Sequence, residues 1–122
     1  MAIMAGALID VADYADTGWV DCTMESGSVE VGGHDVQVRR IGNIVFLRGR
    51  MTRATSSTTQ TWATVPDGFR PDRIVEIPHR AQEGAASAPD RVFLNTNGTL
   101  DSQGTPTTTA AVNINASWIV AE

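Results

Sequence analysis

The chain contains no lysine, and all nine of its basic residues are arginine. Arginine keeps its charge and presents a planar fork of donors, which suits interfaces and sugar or phosphate contacts. GC-rich coding produces the same exchange of codons. Cys22 is the only cysteine, which excludes an intrachain disulfide and fits assembly in a reducing cytoplasm. Buried, it would act as a small hydrophobe. The arginines do not balance 14 acidic residues, and the net charge is −5. With a pI near 4.8 and no basic stripe, the chain is not expected to bind nucleic acid. No apolar run reaches the roughly 18 residues of a membrane span, so no membrane insertion is expected. Residues 2–9 are apolar but lack a basic flank, so no signal peptide is expected either.

The motifs of catalysis are missing as well. There is no G-x-S-x-G elbow, no P-loop and no H-E-x-x-H. His34 and His79 have no zinc-ligand spacing, and Cys22 is close to neither. His79 and Glu83 are four apart, but Pro78 and the small residues that follow argue against a helix that would align them. Asp10, Asp13 and Asp16 lack the Asn/Asp-Gly grammar of a calcium loop. A carboxylate pair for glycoside hydrolysis cannot be picked out from spacing alone. The expectation is therefore no enzyme, no catalytic residue, no metal and no cofactor. Function must come from a displayed surface.

What is present points to β-structure. The 122 residues fit one domain. Charged residues make up 19%, with 11 glycines and 14 threonines, a balance that favours a sandwich or barrel over a helical protein. Residues 1–16 stand apart. Met4, Leu8, Val11 and Ala15 recur at helical seam spacing, but over less than two heptads, so this segment is a stalk-like stub or a frayed leader. From residue 17 the period becomes two. Residues 19–24 read as a first strand, and Val29 and Val31 continue the alternation. Val36 and Val38 lead to a Gly42-Asn43 hairpin turn. Residues 44–53 return from it, and the IVFL run at 44–47 is expected to be buried on both faces. Arg48, Arg50 and Arg53 at its far end must meet solvent or a partner.

Residues 54–60 read as a polar loop, 62–65 as a strand, and Pro66-Asp67-Gly68 as a turn in which Pro presets φ and Gly accepts a positive φ. A strand at 74–77 ends at Pro78, and residues 80–90 read as an exposed loop. Residues 91–96 form a strand before Asn97-Gly98, the strongest hairpin signal in the chain. Apolar residues then occupy every even position from 110 to 120, the mark of a half-buried strand, or of two with a bend between. About eight or nine strands follow from this count.

Five of these segments, taken in order, resemble the receptor-binding head domain of tailed-phage fibre, minor tail and baseplate proteins, which also occurs in phage-like tailocins. They are GWVDC (18–22), VRRIGNIVFLRGRM (38–51), TVPDGFRP (64–71), RVFLNTNGTL (91–100) and SWIVAE (117–122). The sharpest is TVPDGFRP, similar to a family turn of the form LP-x-G-[YF]-R-P, with Val65 where the family usually has leucine. The resemblance spans residues 17–122. It implies an all-β, antiparallel jelly-roll-like sandwich or barrel, with residues 1–16 as leader or stalk stub and 17–122 as the head. It further implies a homotrimer in the virion at the tail tip or fibre, assembled in the host bacterial cytoplasm. Such a head contacts other tail or baseplate proteins and attaches to host cell-wall or capsular saccharide without catalysis.

Sugar sites need a flat apolar floor and a few planar hydrogen-bonding groups. The first candidate set is Trp62, His79, Arg80, Asp90 and Arg91, at strand ends or on the 80–90 loop. The second is His34 and Asp35, beside Gly32-Gly33. The bland alternative is that Trp62 is core and the arginines are solvated or pair with Asp90. Candidate trimer-interface residues are Met4, Leu8, Val11, Trp19 and Trp118, the tryptophans being core residues otherwise. Two further functions stay open. One is a structural virion or tail-assembly module without a saccharide ligand, in which the arginine-rich strand end docks an acidic partner. The other is a fragment of a polysaccharide depolymerase.

Overall fold

The computed structural model describes residues 15–25, 28–30, 33–53, 61–81, 91–103 and 111–120. These residues contain eleven strands: β1 (Val20–Asp21), β2 (Thr23–Met24), β3 (Ser28–Glu30), β4 (Gln37–Ile41), β5 (Ile44–Arg53), β6 (Thr61–Thr64), β7 (Val75–Glu76), β8 (His79–Ala81), β9 (Arg91–Leu94), β10 (Thr99–Gln103) and β11 (Val112–Ile119). One sheet has the order β1-β4-β5-β11-β8, with β3 also paired to β5; the other has the order β2-β6-β10-β9-β7. Every pairing is antiparallel. The expected all-β antiparallel sandwich is thus present, with more and shorter strands than the expected eight or nine.

The extra strands have physical causes. The run 19–24 alternates as one strand but serves both sheets. Val20 pairs with Val38 in the first sheet, and Thr23 with Thr64 in the second. Cys22 is the crossing point; it is buried, and its N–H donates to the Val36 carbonyl at 3.0 Å. Residues 79–81, of which 80 and 81 were expected in a loop, form the edge strand β8, with Arg80 opposite Asn113 and His79 opposite Ile114. The final run is one strand without a bend, paired with β5 from Val112↔Met51 to Ile119↔Ile44.

The inner faces of both sheets share one core. Val36, Val38, Val45, Leu47, Met51 and Val112 of the first sheet side meet Trp62, Val65, Val92, Leu94 and Leu100 of the second. Each such side chain contributes about 1.5–3 kcal/mol by leaving water. The indole N–H groups that enter the core find partners, as burial demands. The Trp118 Nε1–H donates to the Phe69 carbonyl at 2.7 Å.

Two local readings are corrected. The hairpin β9–β10 does not turn on Asn97-Gly98 alone: Gly98 N–H donates to the Asn95 carbonyl at 2.9 Å and Asn95 N–H to the Thr99 carbonyl at 3.0 Å. Thr96 and Asn97 are therefore the central pair, and Gly98, at φ +91°, takes the left-handed position that follows such a turn. The IVFL run is not buried on both faces. Val45 and Leu47 point into the core, but Ile44 is 41% and Phe46 38% exposed, as is Ile119 at 56%. The outer face of the first sheet is open there.

The sheet edge also has contacts from residues just upstream of 17. Ala15 accepts the Gly42 N–H, and Asp16 bridges to Ile41, so these two residues belong to the sandwich edge. Met4, Leu8 and Val11 lie outside the described residues.

Candidate binding groove

A β-strand sends alternate side chains to opposite faces, so the polar positions opposite the core form rows across the outer face of the first sheet. One row runs Asp21, Gln37, Arg48, Asn115, and the next runs Arg50, Asn113, Arg80. Here the face is hollowed into an open groove of about 700 Å³. Its walls come from residues 33–35, from Gln37 on β4 and Arg48 on β5, from residues 78–80, and from residues 113–115 on β11.

Gly49 lies in the groove's lining and sets its shape. It stands at φ +153°, and a Cβ there would lie 2.7 Å from Val36 Cα and 3.0 Å from the Asp35 carbonyl oxygen. Without a side chain on Gly49, the segment before β4 that carries His34 and Asp35 closes onto β5, where the Arg50 N–H donates to the His34 carbonyl at 2.9 Å.

The groove has a defined electrostatic character. The guanidinium of Arg48 lies 3.8 Å from the centroid of the Trp19 ring and donates to Gln37 Oε1 at 2.9 Å. Gln37 in turn donates to Asp21 Oδ1 at 2.9 Å. This chain of contacts holds Arg48 in place. Arg80 is exposed and has no hydrogen-bond or ion-pair partner among the described residues. Arg50 stands beside Asn113, and its Nε is buried without a hydrogen bond among the described residues. His79 Nδ1 approaches the Ile77 carbonyl at 3.3 Å. Asp35 supplies a carboxylate, the one in the lining among the described residues.

The structure joins the two sets that sequence reasoning held apart: His34 and Asp35 line the same groove as His79 and Arg80. It separates the rest. Trp62 is 0% exposed, with its Nε1–H donated to Ser102 Oγ at 2.7 Å. This corrects its candidacy as a sugar platform, because no face of the ring reaches the surface. Arg91 stands on β9 in the other sheet, ion-paired with Glu76 and 4.2 Å from the Phe93 centroid, and it does not reach the groove. Asp90 lies outside the described residues. Trp19 is half-buried against Arg48 and Arg39, and Trp118 is buried at 7% exposure, which leaves little of it for a subunit interface.

Gln37, Asn113 and Asn115 were not among the sequence candidates. The alternation of β11 does mark Asn113 and Asn115 as outward-facing, but nothing local tells that they face a groove. Among the described residues no group of three or more His, Cys, Asp or Glu is placed to hold a metal ion.

No family model matches the chain, and no curated protein matches it. Among solved structures, the receptor binding protein (gp15) of Listeria phage PSA is similar, with a TM-score of 0.65 and 19% identity over 90% of this chain and 68% of that one. At that identity the similarity is one of fold.

Proposed function

We propose that the chain is the receptor-binding head of a phage tail fibre or baseplate protein, and that it attaches the virion to saccharide on the host cell surface as a homotrimer, without catalysis. The observation that carries this reading is the groove itself. On a sandwich that shares its fold with a phage receptor binding protein, an open hollow of about 700 Å³ is rimmed by amides, imidazoles and guanidiniums. Planar donors and acceptors of this kind match the hydroxyl pairs of sugar rings. A shallow groove of this type binds weakly, and three copies per head, with several heads per virion, supply avidity.

Assembly of the head with further copies is supported by the exposed apolar row on the outer face of the first sheet, where Ile44 and Ile119 are directly opposite and Phe46 lies one row on. Contiguous exposed apolar residues of this kind are commonly covered in an assembly. The same row favours the second reading, a structural tail module that docks another virion protein and binds no saccharide. Labelled protein applied to whole bacteria and to their extracted wall glycans separates the two. Saturable binding that free glycan competes away supports the receptor-binding head; absence of binding across a broad panel of strains supports the structural module.

A further inference from the structure

We propose that the ligand unit of the groove is anionic, a phosphate or carboxylate borne by the host glycan, and that Arg80 is the residue that reads it. This rests on the receptor-binding reading above. The chain as a whole carries −5, yet the groove reverses that sign. Among the described residues, Arg48 and Arg80 line it with Asp35 as the one acidic residue, and Arg50 stands in the same cross-strand row as Arg80. An acidic protein that gathers guanidiniums at one hollow concentrates anions there and repels them elsewhere.

The other described arginines show what the groove arginines lack. Arg39 is paired with Asp16 and Arg91 with Glu76. Arg40 is held by the Gly42 and Gly68 carbonyls at 2.7 and 2.8 Å, and Arg70 by Val65 at 3.0 Å. Arg80 has no such partner among the described residues, and Arg48 has an amide oxygen and an aromatic face rather than a carboxylate. Arg50 and Arg80 flank Asn113 in adjacent strands, so their positions are about 10 Å apart by ordinary strand spacing. The exposed Arg80 side chain can reach an anion seated over Asn113, and Arg50 adds its charge from the same row. Phosphate and carboxylate are the groups that a guanidinium fork grips in two-point fashion. The neighbouring amides of Asn113 and Asn115 remain for hydroxyls.

The test uses the full chain against three soluble polymers of matched length: a poly(glycerol phosphate), a polyuronate and neutral dextran. Binding is measured by biolayer interferometry at about 50 mM and about 300 mM salt, a range over which screening deepens strongly. Expected is binding to at least one polyanion, weakened by salt, with dextran ignored; which polyanion binds distinguishes phosphate from carboxylate. Arg80→Gln should weaken that binding about 10-fold or more, the usual worth of a charge-assisted bond. Arg73→Gln, at an exposed site away from the groove, should leave it unchanged. Both variants should melt with the parent, since Arg80 is exposed on an edge strand. The proposal is overturned if neither polyanion binds, if dextran binds as well, or if Arg80→Gln binds like the parent. A parallel assay on whole bacteria separates the two levels: cells bound while polyanions are ignored removes the anion and keeps the receptor-binding head, and no cells bound removes both.

Discussion

Gly49 and Val36 are packed so closely that a methyl group on Gly49 would stand 2.7 Å from the Val36 Cα. No side-chain rotation relieves that overlap, because the obstructing atom is backbone. Gly49→Ala is therefore expected to destabilise the fold by about 1–3 kcal/mol, the usual cost of overpacking a tight site, with added strain from a left-handed φ. Urea unfolding at unchanged m-value checks it. The same variant should displace residues 33–35, so groove binding falls even at temperatures where the protein stays folded.

The Trp62–Ser102 hydrogen bond is enclosed by the core, which makes it costly to break on one side only. Trp62→Phe removes the donor and leaves the Ser102 hydroxyl buried, at an expected cost of about 1–3 kcal/mol. Adding Ser102→Ala removes the stranded group and should recover part of that loss. A double-mutant cycle by denaturant titration gives the coupling. Additive costs would show that the two side chains act independently.

Asp16 is held by the Arg39 side chain, which lowers its pKa to about 2, with the Gly18 N–H adding to the effect. A depressed carboxylate pKa stabilises the folded state above the unfolded value of about 3.9, and that contribution is lost as pH falls from there toward about 2. Both side chains are more than a third exposed, so the effect on stability is small and weakens with salt. Carboxyl NMR titration should find the low midpoint, and Arg39→Gln should move it back toward the ordinary range.

If the exposed row of the first sheet is a subunit interface, a charge within it should prevent assembly without unfolding the chain. The parent is expected at about 39 kDa by light scattering, as three chains of 13.0 kDa. Phe46→Glu should shift that to the single-chain mass while leaving the β-sheet circular dichroism intact. A mass for the variant equal to the parent's would place the interface elsewhere.

Much of the architecture is local in origin and could be read residue by residue. Alternation along 112–119 predicts inward Val112, Ile114 and Trp118 and outward Asn113, Asn115 and Ser117, and burial follows that pattern. The Gly42-Asn43 turn sets Ile41 opposite Ile44. The candidate residues were half legible for the same reason. Loop ends on a β-scaffold are sensible places for recognition, and His34, Asp35, His79 and Arg80 do stand at one groove. Trp62 was misplaced because an aromatic residue in a strand reads the same whether its face of the sheet meets solvent or another sheet. Arg91 was misplaced because a strand does not carry the name of its sheet.

The period of two, the turn chemistry, the acidic balance and the outward polar positions of β11 were determined by the sequence alone, since each depends on residues a few positions apart and on the fixed pleat of a strand. The switch of sheets at Cys22, the burial of Trp62 and the groove itself were decided only by tertiary structure. The groove draws on residues near 34, 48, 79 and 114, and their meeting depends on which strands pair. That choice is made by burying both inner faces at once, a condition on the whole chain that no local window contains.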